Sequence, residues 1–153
     1  MFILIALHLL AATVWVGGMF FALLILRPTA AELLESAVRL QMWRSIFRRF
    51  FAWVWLAIII LPITGYWMIF GYLGGMTNLG WHINVMQVLG IVMILLYLHL
   101  FFAPYKRLRH AVDAGDVESG ARSLRQIRVI VVMNLILGLT VIAIAVAGSS
   151  PYS

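Results

Sequence analysis

Histidines are the residues of this chain best suited to bind a metal or a haem iron, and two of them, His8 and His99, lie within apolar stretches. An imidazole without a partner is costly in an apolar environment, and an ionisable side chain at membrane depth is by default a functional candidate. Histidines in helical bundles hold haem iron or a metal between facing helices. The alternative for each is a neutral histidine that hydrogen-bonds to a neighbouring helix. His82, beside Trp81, and His110 lie near charged or interfacial sequence, where solvation alone explains them.

Four apolar stretches must position these histidines. They cover residues 2–26, 50–73, 83–103 and 129–148. Each is long enough, at about 1.5 Å rise per residue, to cross a hydrocarbon core of about 30 Å. We therefore predict an all-α fold, an integral membrane antiparallel four-helix bundle that forms a single membrane domain over residues 1–153. A composition of 65% hydrophobic and 10% charged residues excludes a soluble fold.

The charged residues give the predicted topology. All eleven Lys and Arg residues and all five carboxylates lie in residues 27–49 and 104–128, which are alternate connections and so share one side of the bilayer. Because short segments rich in Lys and Arg stay in the cytoplasm, we predict cytoplasmic loops at 27–49 and 104–128, with both termini outside (N-out/C-out), in a bacterial-type inner (plasma) membrane. The net charge of +6 then fits contact with anionic lipid of the bilayer and predicts no nucleic-acid partner.

Residues 29–49 are amphipathic at helical spacing, and two arrangements fit that pattern. The segment is either a helix that lies at the membrane interface or a continuation of the second span.

The depths of His8 and His99 differ. His8 lies nineteen residues before Arg27, roughly 28 Å from the inner boundary. His99 lies seven residues before Lys106, roughly 10 Å from it. These two histidines are therefore not expected to ligate the same iron.

Two separate sites are therefore predicted. An outer site pairs His8 with His82, since their depths differ by about 8 Å and helices tilt. An inner site contains His99, with Met133 and Asn134 of the fourth span at the corresponding level. A histidine or methionine partner would complete the axial ligands of a haem at either level.

The outer residues also fit a copper site. The chain has no cysteine, so a soft metal must be held by imidazole and thioether, which suit Cu(I). The candidate ligands are His8, His82, Met68, Met76 and Met86. Methionines of apolar segments also serve simply as packing residues.

The stretch HLLAATVWVGGMF at residues 8–20, followed by an Arg-Pro pair, resembles the first helix of the copper resistance protein D (CopD) family and of the related HemJ-type membrane proteins. Residues 50–65 of the second span, which end in LPITG, and residues 123–151 with their Ser-Ser-Pro ending are similar to the same superfamily. His99, with two arginines shortly after it, is similar to the HemJ branch. The resemblance implies copper handling in the first branch, and in the second a b-type haem, with His8 and His99 as ligands, and protoporphyrinogen oxidation.

The sequence departs from this family pattern at two places. The third helix begins Trp81-His82-Ile-Asn84, where both branches tend to carry a lysine, and Asn134 stands where an acidic residue is expected. These departures weaken the implied HemJ-like oxidoreductase activity more than they weaken haem binding.

Three functions are therefore predicted. The first is a membrane b-type haem protein (a cytochrome b) for electron transfer or haem-linked oxidation, which uses His8 and another histidine and acts with a membrane redox partner or as a homo-oligomer. The second is a CopD-like copper uptake or handling protein. The third is a structural subunit of a membrane complex, with histidines that only hydrogen-bond between helices.

Overall fold

The prediction of an all-α membrane protein is confirmed by a computed structural model, which describes residues 1–149 and contains only helices and turns over that range. The elements are α1 (Phe2–Phe21), a π-helical turn (Ala22–Leu26), α2 (Arg27–Leu33), α3 (Ser36–Tyr72), a short 3-10 turn (Met76–Asn78), α4 (Trp81–Phe102), α5 (Pro104–Asp113) and α6 (Val117–Gly148). Ser150 and Pro151 of the family-like ending lie outside the described residues.

Four helical units are long and apolar enough to cross a membrane. They are Phe2–Leu33, Ser36–Tyr72, Trp81–Asp113 and Val117–Gly148. α1 packs chiefly on α3, and α4 packs chiefly on α6, which also contacts α1. Large apolar side chains such as Phe2, Trp53 and Val146 are exposed on the outside of the bundle. An exposed apolar surface of this extent fits lipid rather than water.

The two charged segments, residues 27–49 and 104–128, are largely helical. α3 begins at Ser36, so residues 36–49 of the amphipathic segment continue the second span. Residues 29–33 lie in α2, which ends at the extended residue Leu34. Pro28 lies in the first turn of α2, directly after the π-helical turn. A wider turn at this point accommodates a residue whose nitrogen cannot donate to the preceding turn.

α5 and α6 are joined by a tight turn at Gly115, whose φ of +68° is a conformation that favours glycine. Asp116 then caps α6 by accepting a hydrogen bond of 3.1 Å from the Ser119 backbone N–H. Hydrogen bonds from Ser119 to the ionised carboxylate hold the pKa of Asp116 below its usual value. Across the same end of the bundle, Arg44 of α3 pairs with Asp113 of α5. Both charged segments therefore lie at one end, which we call the charged end.

The charged half of the bundle is closed by packed rings. We call Trp15, Phe47, Phe51, Tyr97 and Tyr105 the aromatic cluster, and all five are buried. The ring of Phe51 is the centre, with centroids 5.1 Å from Phe47, 5.4 Å from Tyr97 and 4.9 Å from Tyr105. Trp15 reaches Tyr97 edge to face at 6.3 Å. These rings join α1, α3, α4 and α5 into one core.

The hydroxyl of Tyr97 donates a buried hydrogen bond of 3.2 Å to the carbonyl of Phe51. Replacing Tyr97 with Phe keeps the ring and removes this bond between α4 and α3. We expect a loss of unfolding free energy of about 0.6 kcal/mol, the average for such bonds between membrane helices. SDS-induced unfolding of the purified protein measures it. Tyr66→Phe, at an exposed ring, should change nothing, and equal losses in the two variants would contradict the expectation.

Candidate metal site around His8

A cavity of about 310 Å³ lies between α1, α3, α4 and α6. Its lining reaches Leu73 and Ile83 on either side of the connection between α3 and α4, so it lies at the end of the bundle opposite the charged end. Almost all of the lining side chains are apolar, and the ring of Trp15 from the aromatic cluster is among them. Polar groups are few, and His8 is the only histidine in the lining.

His8 is held by α3 through Thr64. Its Nδ1 lies 2.8 Å from the Thr64 hydroxyl oxygen, which in turn donates to the Ile60 carbonyl at 2.7 Å, with the Leu61 carbonyl at 3.2 Å. A hydroxyl has one proton. When Thr64 donates that proton to its own helix, its oxygen accepts from His8 Nδ1–H. In this arrangement the neutral imidazole is protonated on Nδ1.

The other ring nitrogen, His8 Nε2, then carries a free lone pair. It makes no hydrogen bond to the residues that the structure describes, and it is not among their fully buried unpaired atoms. A histidine whose Nδ1–H is fixed by a hydrogen bond and whose Nε2 is free has the arrangement typical of metal-ligating histidines. His8 is thus prepared to coordinate a metal through Nε2.

The local sequence of α3 explains how the ring comes so close to this helix. Pro62, Thr64 and Gly65 belong to the LPITG motif, and Gly65 faces the imidazole. A Cβ at Gly65 would lie 3.4 Å from His8 Cε1, so even one methyl group fills the available space. A larger side chain at this position would displace the ring from Thr64.

Methionines supply the other soft donors of the cavity. Met68, Met86 and Met93 all contribute to its lining together with His8. Met68 and Met86 were predicted from the sequence, whereas Met93 was missed. Its spacing from Met86 is the signal that was available, because residues seven apart share one face of a helix. The cavity therefore combines one imidazole with several thioethers.

The remaining predicted ligands lie elsewhere. His82 does not line the cavity, and its ring packs so tightly against Gly148 of α6 that a Cβ there would overlap it. Met76 is exposed in the connection between α3 and α4. His99 and Met133 are both exposed on the outside of the bundle, and neither lines the cavity. The fold therefore does not bring His82 and Met76 into the site with His8, nor does it enclose His99 and Met133. Metal binding by these four stays a prediction.

Asn134 is the polar residue buried most deeply in α6, with 2% of its surface exposed. Its amide nitrogen donates to the Met93 carbonyl at 3.2 Å, while its Oδ1 is buried without a partner among the described residues. Asn134 thus ties α6 to α4 at the level of a cavity-lining methionine.

Acidic residues contribute nothing to this cavity. Over residues 1–149, His, Asp and Glu side chains form no group of three or more that could hold a metal ion. A metal bound here would be held by His8 and thioether sulfur, a donor set that suits a soft, singly charged ion such as Cu(I) and not Mg²⁺ or Ca²⁺.

Comparison with family models covers most of the chain. A family model described as Copper resistance protein D matches residues 44–147, which are 104 of the 153 residues. No curated protein and no solved structure matches the chain. The matched range contains Thr64 and three of the four methionines of the cavity lining, Met68, Met86 and Met93, whereas Met1 and His8 precede it.

Proposed function

The chain belongs to the copper resistance protein D family, and on that premise we propose that it handles copper at a membrane, binding Cu(I) as cargo in the cavity beside His8. The observation that carries the proposal is the free Nε2 lone pair of His8 in a cavity that is also lined by Met68, Met86 and Met93. Imidazole and thioether are the ligands that select Cu(I) when no thiolate is present.

The apolar walls of the cavity support the same ion. A singly charged ion bound by neutral ligands is less costly to bury than a divalent ion, which would need carboxylates to balance its charge. Thr64 acts as a positioning residue, because its hydroxyl fixes the Nδ1–H tautomer and the orientation of the ring.

Topology supports entry of copper from outside the cell. If the charged end faces the cytoplasm of a bacterial-type inner membrane, as the distribution of Lys and Arg predicts, the His8 cavity faces the outer side. The aromatic cluster closes the bundle between the cavity and the charged end. The proposed activity is therefore capture and holding of Cu(I), and passage to the cytoplasm would require these rings to move.

A b-type haem for electron transfer is the competing function, since a free His8 Nε2 also suits haem iron. The cavity lining contains no Lys or Arg to pair with the haem propionates, and the family match concerns copper. Copper is for these reasons the function that the residues support better.

The decisive experiment titrates Cu(I) into detergent-purified protein under anaerobic, reducing conditions against a coloured Cu(I) chelator, with Zn(II) as the control ion. We expect the protein to take about one Cu(I) per chain from the Cu(I) chelator. In a parallel titration against a Zn(II) chelator, the protein should take no Zn(II). A visible spectrum of the purified protein is recorded beside it. A protein that takes no Cu(I) contradicts the proposal, and a b-type spectrum would favour haem instead. A protein that binds neither ligand would support the structural-subunit function.

Thr64 offers a test of the positioning role. Thr64→Val keeps the shape of the side chain but removes the hydroxyl that forms a hydrogen bond with His8 Nδ1. We expect Cu(I) affinity to fall about 10–100-fold, the usual effect of losing the partner of a metal-bound histidine. Thr64→Ser retains the hydroxyl and should bind nearly as well as the unmodified protein. Equal affinities of the Val and Ser variants would exclude a role for this hydrogen bond.

A further inference from the structure

A second cavity, of about 530 Å³, lies at the charged end between α2, the beginning of α3 and the beginning of α6. We call it the arginine groove. Four arginines contribute to its lining, namely Arg27, Arg39, Arg125 and Arg128, and Glu118 is the only carboxylate among the lining residues. The groove therefore has an excess of three positive charges and lies far from the His8 cavity.

These arginines have no internal counterions among the described residues. The salt bridges found there join Arg44 to Asp113, and Arg122 to Glu118 at 3.8 Å. Arg39 reaches only the Ser36 hydroxyl, at 3.2 Å. Like charges gathered without a partner repel each other and create a positive potential in the groove. An anion bound there would relieve this repulsion.

Guanidinium groups favour one class of anion. Arginine presents planar, paired N–H donors that match the oxygens of phosphate, and it is used for phosphate recognition for that reason. Four such side chains around one groove provide more donors than a single carboxylate ligand can use.

The inner wall of the groove is apolar. Trp43 and Phe47 each have 5% of their surface exposed and stack with centroids 5.2 Å apart, while Leu23 and Val131 continue the wall along the spans. Val129 begins the uncharged part of α6 directly after Arg128, so the arginines lie at the level where lipid headgroups meet the hydrocarbon core. A ligand that fits both walls carries a phosphate and a hydrocarbon chain.

We propose that the arginine groove binds the phosphate headgroup of one anionic phospholipid, with an acyl chain against the Trp43 wall. This site is separate from the proposed copper site and does not depend on it. Inorganic phosphate lacks an apolar part to contact the apolar wall of the groove, so it should compete poorly.

The test uses native mass spectrometry of the full chain, released from micelles that contain phosphatidylglycerol or phosphatidylcholine with the same acyl chains. The test variant carries Arg125→Gln and Arg128→Gln. The matched control carries Arg49→Gln and Lys106→Gln, which remove the same charge from exposed residues of the same end outside the groove. We expect retention of phosphatidylglycerol to fall about 30-fold in the test variant and no more than about threefold in the control.

Equal retention of the two lipids by the unmodified protein, or equal losses in the two variants, would overturn the proposal. Displacement of phosphatidylglycerol by 10 mM inorganic phosphate would assign the groove to free phosphate and overturn the lipid assignment. If the test variant does not fold, the fluorescence of Trp43 in the unmodified protein tests whether phosphatidylglycerol binds in the groove. The emission of Trp43 is the part of the tryptophan fluorescence that is missing from the Trp43→Phe variant. Phosphatidylglycerol with brominated chains should quench this emission, and phosphatidylcholine with brominated chains should not.

Discussion

Cu(I) affinity is expected to fall by at least about 100-fold when His8 is replaced by Ala. Loss of only the hydrogen-bond partner of a ligating histidine lowers metal affinity about 10–100-fold, and His8→Ala removes the donor nitrogen itself. The thioethers of Met68, Met86 and Met93 remain, but thioether is a weak donor. The lining contains no carboxylate that could replace the imidazole. The measurement is the anaerobic competition titration against a coloured Cu(I) chelator.

His82→Ala is the matched control for this variant. His82 is also a histidine at the end opposite the charged end, but its ring packs on Gly148 outside the cavity. The control should retain Cu(I) affinity within about threefold. This change is smaller than the fall in affinity expected when a ligating histidine loses its hydrogen-bond partner. An equal loss of copper in His82→Ala and His8→Ala would assign copper to a surface that both histidines share. Unchanged binding in His8→Ala would remove His8 from the site altogether.

Phe51→Ala is expected to destabilise the bundle more than other substitutions of single aromatic residues. Phe51 is 3% exposed and contacts the rings of Phe47, Tyr97 and Tyr105. In a membrane the lipid is as apolar as the protein interior, so the loss comes from packing rather than from transfer out of water. A cavity of about 100 Å³, at about 24 cal/mol per Å³, corresponds to a loss of about 2–3 kcal/mol in unfolding free energy.

The control for Phe51→Ala is Phe70→Ala, because Phe70 is 64% exposed on the outside of α3. Lipid chains can fill the space that its ring leaves, so the expected change is less than about 0.5 kcal/mol. Both variants are compared by SDS-induced unfolding in the same micelles. A loss for Phe51→Ala no larger than that of the control would mean that the aromatic cluster does not hold the helices together.

Much of the fold followed from the sequence. The four spans and the common end of the two charged segments were predicted, because a bilayer of fixed thickness demands long uncharged stretches and places alternate connections on the same side. The arrangement of the first charged segment did not follow as directly. The pattern at residues 29–49 fits an interfacial helix and a continued span equally well, and from Ser36 onward the structure contains the second. The orientation of the chain across the membrane rests on its charges alone.

The candidate site was predicted only in part. His8, Met68 and Met86 were chosen for their chemistry, and the fold collects them in one cavity together with Met93. His82 was also expected there but lies against Gly148. His82 lies four residues before Met86 and so on the same face of α4, but it is in the first turn of the helix, where its ring packs against α6 instead of lining the cavity.

The sequence by itself therefore determined the number of spans, the common end of the charges and the short list of possible ligands, because all three depend on residue type and on chain length. Only the tertiary structure decided which ligands meet. In a membrane, the lipid and the protein interior are equally apolar, so hydrophobicity does not distinguish the inward face of a helix from its outward face. Helix rotation is set instead by close packing. At Gly138 of α6, for example, a Cβ would come within 2.7 Å of Val16 and 3.2 Å of Met93, and this contact brings α1, α4 and α6 together beside the His8 cavity.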